Sequence, residues 1–287
     1  MKILVLGACG QLGRSLKDVA ENYLQYNFVY TDIDSLDITD YILVNDFVSK
    51  QKPNVIINCV AYTAVDKAES QQEQALLLNA NVVENLAKIA KANNIFLVHV
   101  STDYVFDGKG YKPYNEDNFT APASIYGKTK LLGEQAILNN PCHCAIVRTS
   151  WLYSEYGGNF VKTMLRLGKE RQQLTIVDDQ IGSPTYAPDL AEAIMQLVLQ
   201  KELVKQMEIY HFSNEGVASW YDFAKTIMEL GNCSCKVLPI PTEQYPTPAQ
   251  RPFYSVLDKQ KIKSRFSISI PYWKDSLKIC MEKLSEI

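Results

Sequence analysis

Short apolar runs rich in β-branched residues alternate with longer amphipathic segments through the first half of the chain. The runs predict five strands, with the sequences KILVLG, NFVYTD, NVIINC, IFLVHVS and CAIVRTS. Segments in which apolar residues recur every three or four positions predict helices at 11–22, 42–50, 72–92 and 124–139. Because strands that alternate with helices pair in parallel through right-handed crossovers, the pattern predicts an α/β protein with a doubly wound parallel sheet.

The later part of the chain has a different pattern. Two predicted helices, 188–200 and 219–230, lie among irregular segments, and prolines cluster between positions 239 and 252. No repeat, low-complexity tract or flexible linker separates this part from the first. We therefore expect residues 1–150 to form the sheet domain, to which later segments return, and residues 151–287 to form mainly a smaller, interleaved C-terminal region.

Composition and charge exclude several classes of protein. Apolar residues make up 47% of the 287 residues and charged residues 21%, as in ordinary globular proteins. The formal net charge is -3 and the Lys and Arg residues are scattered, so we expect no nucleic-acid partner. The first apolar run is short and ends at Gly7, which indicates a buried strand rather than a signal peptide. No stretch approaches the length of a membrane span, and we expect a cytoplasmic protein with no membrane partner.

The seven cysteines are an odd number, and their spacing does not match that of zinc sites. Two near-pairs exist, Cys142 with Cys144 and Cys233 with Cys235, but neither has the two-residue gap typical of zinc ligands. In a cytoplasmic protein such cysteines stay reduced. We therefore assign them no chemistry.

A glycine-rich loop follows the first predicted strand and opens the first predicted helix. Gly7, Gly10 and Gly13 are spaced as GxxGxxG. Glycine permits the tight turn and the close approach of backbone to a pyrophosphate, and the helix N-terminus offers free N–H groups to the phosphates. An ordinary strand–helix turn would use similar glycines, but the strand, the helix and the N-terminal position together favour a Rossmann-type dinucleotide site.

An acid lies at the end of the second predicted strand, where dinucleotide-binding proteins contact the adenosine ribose. Asp32 occupies this position, and a carboxylate there favours NAD because it repels a 2′-phosphate. No arginine follows closely that would bind such a phosphate. Asp34 and Asp37 are near enough to leave the assignment open, and an ordinary loop aspartate is the alternative.

Three further residues suggest proton transfer to a carbonyl oxygen. Tyr126 and Lys130 form a Tyr-x-x-x-Lys motif, and this spacing places both side chains on one helix face. A lysine ammonium favours the phenolate and so lowers a tyrosine pKa that is ordinarily about 10. Ser101 and Thr102 end the fourth predicted strand, at the edge where ligands of open α/β sheets bind, and Thr102 is placed to hydrogen-bond the carbonyl.

With these motifs the chain resembles the extended short-chain dehydrogenases/reductases and, more narrowly, the dTDP-4-dehydrorhamnose reductase family. The resemblance covers nearly the whole chain. It is carried by LDIT at 36–39, INCVAYTAVDKAE at 57–69, LNA at 78–80, HVSTDYVFDG at 99–108, YGKTKLLGE at 126–134, RTSWLY at 148–153, NFVKTMLRL at 159–167, DDQIGSPTYAPDLA at 178–191 and RPFYSVLD at 251–258.

The resemblance implies a role for residues along the chain. Tyr126 would be the proton donor, Lys130 its partner, and Thr102 would replace the more usual serine. The residues implied to bind the cofactor, besides the glycines, are Gln11 and Leu12 at the pyrophosphate, Asp32 and Ile33 at the ribose, Asp37 and Ile38 at the adenine, and Ala61, Tyr62, Thr63, Tyr126 and Lys130 along its length. Thr102, Asp103 and Trp151 would contact the sugar nucleotide, and Arg251 its pyrophosphate. For Trp151, packing in the core is the alternative.

The resemblance also implies a reaction, the reduction by NADPH or NADH of the C4 keto group of dTDP-4-dehydro-L-rhamnose. The alternatives are an NAD-dependent sugar-nucleotide epimerase or dehydratase, and a non-catalytic regulatory subunit like that of methionine adenosyltransferase. Some family members hold Mg²⁺ at a dimer interface through glutamates, one of them just after the glycine loop. Arg14 and Ser15 stand there instead. We therefore expect no metal, and a monomer or a weak homodimer.

Overall fold

The computed structural model describes residues 1–286, and its centre is a six-stranded, wholly parallel sheet. The strand order is β10-β5-β4-β3-β1-β2. The strands are β1 Lys2–Leu6, β2 Asn27–Thr31, β3 Val55–Asn58, β4 Phe96–Thr102, β5 Cys144–Thr149 and β10 Met207–His211. The predicted α/β fold is confirmed, and the five predicted strands form the sheet in the expected parallel arrangement.

Helices cover both faces of the sheet, as the nearly continuous apolar strands require. One face packs against α1, α8 and α10, and the other against α2, α5 and α6. Within residues 1–286 the α-helices are α1 Gln11–Val19, α2 Tyr41–Gln51, α3 Val65–Ala68, α4 Gln72–Leu76, α5 Val82–Asn93, α6 Ile125–Asn139, α7 Phe160–Glu170, α8 Ala187–Leu199, α9 Trp220–Leu230, α10 Gln260–Phe266 and α11 Trp273–Ser285. Among residues 1–286, none of them is long and apolar enough to cross a membrane.

Two features of the sheet layer differ from the sequence prediction. The predicted helix 72–92 contains a π-helical segment, Leu77–Asn81, between α4 and α5. The sheet also has a sixth strand, β10, which pairs with β5 although it lies after residue 200. Glu208 and His211 interrupt the apolar pattern of β10, and an edge strand needs less burial than a central one.

A second, aromatic core lies outside the sheet layer. It is enclosed by α7, α9 and α11 and includes the buried side chains of Tyr153 and Trp273. Three two-stranded pairs accompany it, β6 Leu152–Tyr153 with β9 Thr185–Tyr186, β8 Ile181–Gly182 with β11 Ala218–Ser219, and β7 Gln173–Val177 with β12 Lys236–Ile240. This core places residues of the later half beside the carboxyl edge of the sheet, the edge at which the parallel strands end.

Candidate active site

The glycine loop lies directly after β1 and leads into α1. Gly7 has a φ of 79°, in the region that favours glycine. A Cβ at Gly13 would overlap the carbonyl oxygen of Gly7 and the Cα of Ala8, so the helix lies against the loop. Gly10 is the N-cap of α1 and no side chain caps the helix. The first N–H groups of α1 therefore remain available to an anion.

Asp32 follows β2 and is bonded to the glycine loop. Its Oδ2 accepts from the Cys9 N–H at 2.7 Å, and its Oδ1 accepts from the Ile33 N–H at 2.9 Å. Ile33 is 75% exposed beside it. Asp37 bonds instead to Thr39 within its own turn, while Ile38 packs partly against the core.

The segment after β3, which continues into Ala61, Tyr62 and Thr63, begins beside the glycine loop, since a Cβ at Gly7 would lie 3.0 Å from Val60 Cγ2. Asn79 fixes it, since the Asn79 side chain accepts from the Tyr62 N–H at 2.8 Å and donates to the Tyr62 carbonyl at 3.2 Å. Asn79 also donates to Thr129 on α6 at 3.1 Å. The sequence analysis assigned no role to this residue. Two signals pointed to it, because it lies in the LNA segment at 78–80 and is a polar residue on the apolar face of the predicted helix.

Gln11 connects the glycine loop to the later half of the chain. Its side-chain oxygen accepts from Asn159 at 2.9 Å and from Ser154 at 3.1 Å. The Gln11 side chain is thus engaged with protein, and Gln11 and Leu12 can meet a pyrophosphate through their backbone N–H groups. Leu12 is buried in the core under the sheet.

Thr102, Tyr126 and Lys130 lie at the carboxyl end of β4 and in the first two turns of α6. Ser124 caps that helix by accepting from the Gly127 N–H, which fixes the first turn. Burial raises the pKa of Tyr126, and the Thr102 hydroxyl opposes this rise. Lys130 is buried and donates to the Val100 carbonyl at 2.7 Å. Burial lowers its pKa to about 8, against the effect of Glu134.

Asp103 and Trp151 both have Ser255 nearby, since the Ser255 hydroxyl opposes the rise that burial causes in the pKa of Asp103 and lies with the Trp151 indole against Gly182. A Cβ at Gly182 would lie 2.6 Å from the Trp151 indole and 2.8 Å from the Ser255 hydroxyl. Asp103 Oδ2 and Ser255 Oγ are buried near one another, and neither makes a hydrogen bond of normal geometry within the described chain. Buried polar atoms of this kind call for a ligand or water. The sequence analysis did not single out Ser255, which lies about 150 residues from Asp103 along the chain.

Trp151 adopts an unusual backbone conformation, with a φ of 48°. A left-handed non-glycine residue stores strain, which is common where a side chain must be aimed at a site. Its indole stacks on that of Trp220, with centroids 3.6 Å apart and planes within 8°. Trp220 was also missed by the sequence analysis, because it begins a helix far from residue 151 and its own motif is unremarkable.

Arg251 is linked to the same site through Tyr104. Its guanidinium donates to Asp66 at 2.6 Å and to the Tyr104 hydroxyl at 3.3 Å. The Tyr104 ring meets the Tyr126 ring edge-on, with centroids 5.4 Å apart. The structure therefore brings Arg251 near the Thr–Tyr–Lys group. The Arg251 guanidinium is paired with Asp66, so a phosphate would have to compete with this carboxylate to bind it.

Arg14 lies directly after the glycine loop, at the position where the resemblance led us to look for a metal-binding glutamate. Its Nε donates to the Cys9 carbonyl, and its guanidinium lies 5.5 Å from the Tyr156 ring centroid. No group of three His, Cys, Asp or Glu side chains in residues 1–286 is arranged to hold a metal. All seven cysteines are free thiols in the structure.

The pKa of Asp103 gives a testable pH dependence. Burial raises this pKa from an ordinary 3.8 to about 6. The stabilising contribution of the neutral carboxyl is therefore complete below about pH 4 and lost as the pH rises through about 6. Asparagine keeps the shape and never ionises. We expect Asp103→Asn to raise the free energy of unfolding at pH 8 by about 1–3 kcal/mol, with the difference vanishing near pH 4.

Urea unfolding of both proteins at pH 4, 6 and 8 measures this difference. A wild-type protein as stable as the variant at pH 8 would contradict the assignment of a strained, buried carboxylate at position 103.

The parallel sheet, the glycine loop at its first strand and the Thr–Tyr–Lys group at its carboxyl edge define a short-chain dehydrogenase/reductase type of protein. The family model of the RmlD substrate binding domain matches residues 1–286, and the chain belongs to this family. The resemblance to dTDP-4-dehydrorhamnose reductases, first drawn from the motifs, is confirmed.

Individual proteins agree with this assignment. The chain is 44% identical to a dTDP-4-dehydrorhamnose reductase of Aggregatibacter actinomycetemcomitans, with 96% of this chain and 97% of that protein covered. The crystal structure of a dTDP-4-dehydrorhamnose reductase from Clostridium acetobutylicum is 42% identical with a TM-score of 0.94, covering 99% and 100% of the two chains. The Bacillus anthracis enzyme in complex with NADP is 40% identical with a TM-score of 0.93, covering 98% and 99%.

Proposed function

We propose that this protein reduces the C4 keto group of dTDP-4-dehydro-L-rhamnose to give dTDP-L-rhamnose, using NADPH or NADH. The observation that carries the proposal is the Thr102–Tyr126–Lys130 group at the carboxyl edge of the sheet, in a chain that matches reductases of this name over its full length. The cofactor supplies a hydride to C4.

The residues present fit a dinucleotide. The uncapped start of α1 suits the pyrophosphate, and the contact of Gly13 with Gly7 leaves no room there for a side chain. Exposed Ile33 offers an apolar surface beside the adenosine ribose, and Ile38 lies further along toward the adenine. The Asp32 carboxylate favours a ribose without a 2′-phosphate. However, both of its oxygens already accept hydrogen bonds from backbone N–H groups, which reduces its repulsion of a phosphate. We infer that either cofactor is accepted, in keeping with the NADP bound to the Bacillus anthracis relative.

Tyr126 would give its hydroxyl proton to the oxygen that develops negative charge, and Thr102 would hydrogen-bond the same oxygen. Burial keeps the Tyr126 hydroxyl protonated until that charge appears. Lys130 would hold the nicotinamide ribose and return a proton to Tyr126. Asp103 and Ser255 would bind the sugar hydroxyls through their unpaired oxygens, and Trp151 would form the flat apolar wall that suits a deoxysugar.

Arg251 would bind the substrate's pyrophosphate after release from Asp66. We accordingly infer that residues 151–287 contribute mainly to substrate binding, with residues 1–150 binding the cofactor. We further propose that the protein works in the cytoplasm, where reduced nicotinamide cofactors are available, and as a monomer or weak homodimer.

The proposal is tested by incubating the protein with dTDP-4-dehydro-L-rhamnose and each cofactor, following absorbance and identifying the product by NMR. We expect one NAD(P)H oxidised per product formed. Purified protein that carries tightly held NAD⁺ and consumes no added NAD(P)H would instead support an epimerase or dehydratase. If the protein turns over no 4-keto sugar nucleotide, the non-catalytic regulatory subunit is the remaining alternative.

A further inference from the structure

A row of buried polar side chains crosses the face of the sheet that packs against α6. Asn58 and His99 are register partners on β3 and β4, and Ser101 and Arg148 are partners on β4 and β5. The same face is apolar nearer the amino ends of the strands. The polar row therefore lies directly beneath the turn of α6 that carries Lys130, and His99 is its member in contact with that lysine.

The orientation of the Asn58 amide follows from its neighbours. Its Oδ1 accepts from the Val60 N–H at 3.1 Å. Its Nδ2 consequently faces His99 Nδ1, at 3.2 Å. Since an amide nitrogen only donates, Nδ1 of His99 must be an acceptor.

The protonation state of His99 is then determined. Burial and the nearby Lys130 hold its pKa well below the usual value, so the ring is neutral and carries one hydrogen. With Nδ1 accepting, that hydrogen lies on Nε2, which is 3.4 Å from Lys130 Nζ. An ammonium has no acceptor to offer it, whereas a neutral amine has a lone pair. The hydrogen bond that Lys130 donates goes instead to the Val100 carbonyl, which leaves the nitrogen lone pair of the neutral amine free to accept from His99.

We propose that His99 is a positioning residue for Lys130, with a tautomer that Asn58 fixes and an Nε2–H that donates to the neutral amine of Lys130. This contact favours the uncharged lysine. The charged or titratable groups on the elements around Lys130 are Glu134, one turn later on α6 and paired with Arg148 on β5, and Tyr126, one turn earlier and near Asp103. Of these, Glu134 favours the ammonium.

The inference deepens the proposed function, because it assigns a purpose to a lysine whose pKa burial lowers to about 8. Such an amine can both give up and take up a proton at working pH. Lys130 could thus restore the proton that Tyr126 transfers to the product and be reprotonated from solvent. A lysine with an ordinary, high pKa would hold its proton more tightly. It would therefore return a proton to Tyr126 less readily at working pH.

The tautomer is read directly by ¹⁵N NMR of the histidine rings, independently of any activity. The chain has only three histidines, and the His99 signals are identified by their loss in His99→Gln. We expect the Nε2–H tautomer at pH 7 and at pH 9. Asn58→Asp offers an acceptor to Nδ1–H, so this variant should switch to the Nδ1–H tautomer. Finding Nδ1–H in the wild-type protein, or no switch in Asn58→Asp, would overturn the inference.

The effect on Lys130 is read from the basic limb of the pH profile of kcat/KM. The switched ring accepts from the ammonium, so Asn58→Asp should move this limb upward by roughly one pH unit, the size of one hydrogen bond. His99→Gln keeps an acceptor facing Asn58 and a donor facing Lys130, and should leave the limb in place. Val98→Ala, a loss of packing on the other face of β4, controls for general destabilisation.

The new carboxylate would itself favour the ammonium. Asn58→Asp combined with His99→Leu keeps that charge and removes the ring, so an equal shift in the double variant would refute a role for His99. If the enzyme has no reductase activity, the proposed function fails while the NMR result still decides the tautomer.

Discussion

Replacing Tyr126 with phenylalanine should lower kcat by about 10²–10⁴-fold while leaving cofactor affinity nearly unchanged. The substitution removes the only proposed proton donor. It keeps the ring, whose edge contact with Tyr104 holds it in place. Steady-state kinetics give kcat, and titration of protein fluorescence with NADPH gives the dissociation constant.

A matched control is Tyr23→Phe, which also removes a tyrosine hydroxyl with hydrogen-bond partners, here Glu192 and Gln196. This control should turn over substrate at close to the wild-type rate. Near-normal turnover in Tyr126→Phe would end the proposed mechanism.

The largest effect on stability is expected from Glu134→Ala. Glu134 and Arg148 form a buried, two-point ion pair, with hydrogen bonds of 2.9 and 2.7 Å, and Ser101 also donates to Glu134. Both side chains are at most 3% exposed. Removing the carboxylate leaves a buried, uncompensated guanidinium, so the free energy of unfolding should fall by about 3–5 kcal/mol. Urea denaturation measures this loss.

The double variant Glu134→Leu with Arg148→Met tests the cause. Without either charge, most of the stability should return, because the desolvation cost of the pair disappears with it. A loss below about 1 kcal/mol in Glu134→Ala, the size of an exposed pair, would show that water reaches Arg148.

The parts of the site that could be predicted from sequence are those encoded within a few residues. The strand–loop–helix at Gly7–Gly13 and the i, i+4 pair Tyr126 and Lys130 are local patterns whose geometry follows from backbone periodicity. The fold class followed for the same reason, since the alternation of strands and helices extends over 150 residues.

The remaining parts depend on approaches between distant segments. Ser255 meets Asp103 and Trp220 meets Trp151 only after the later half folds onto the sheet. Asp66 is an unremarkable acid until Arg251 arrives beside it. The π-helical turn Leu77–Asn81, which positions Asn79, cannot be predicted from periodicity. A single turn with one extra residue leaves the apolar pattern of the surrounding helix almost unchanged.

Strand β10 has a consequence for how the protein can be altered by recombination. A late segment completes the sheet beside β5, and Gln11 near the start of the chain bonds to Ser154 and Asn159. The two halves are therefore not exchangeable modules. A chimera joined to a relative at residue 150 would combine this sheet with a foreign edge strand. Substrate specificity is therefore better changed by grafting the loops around Trp151, Gly182 and Ser255.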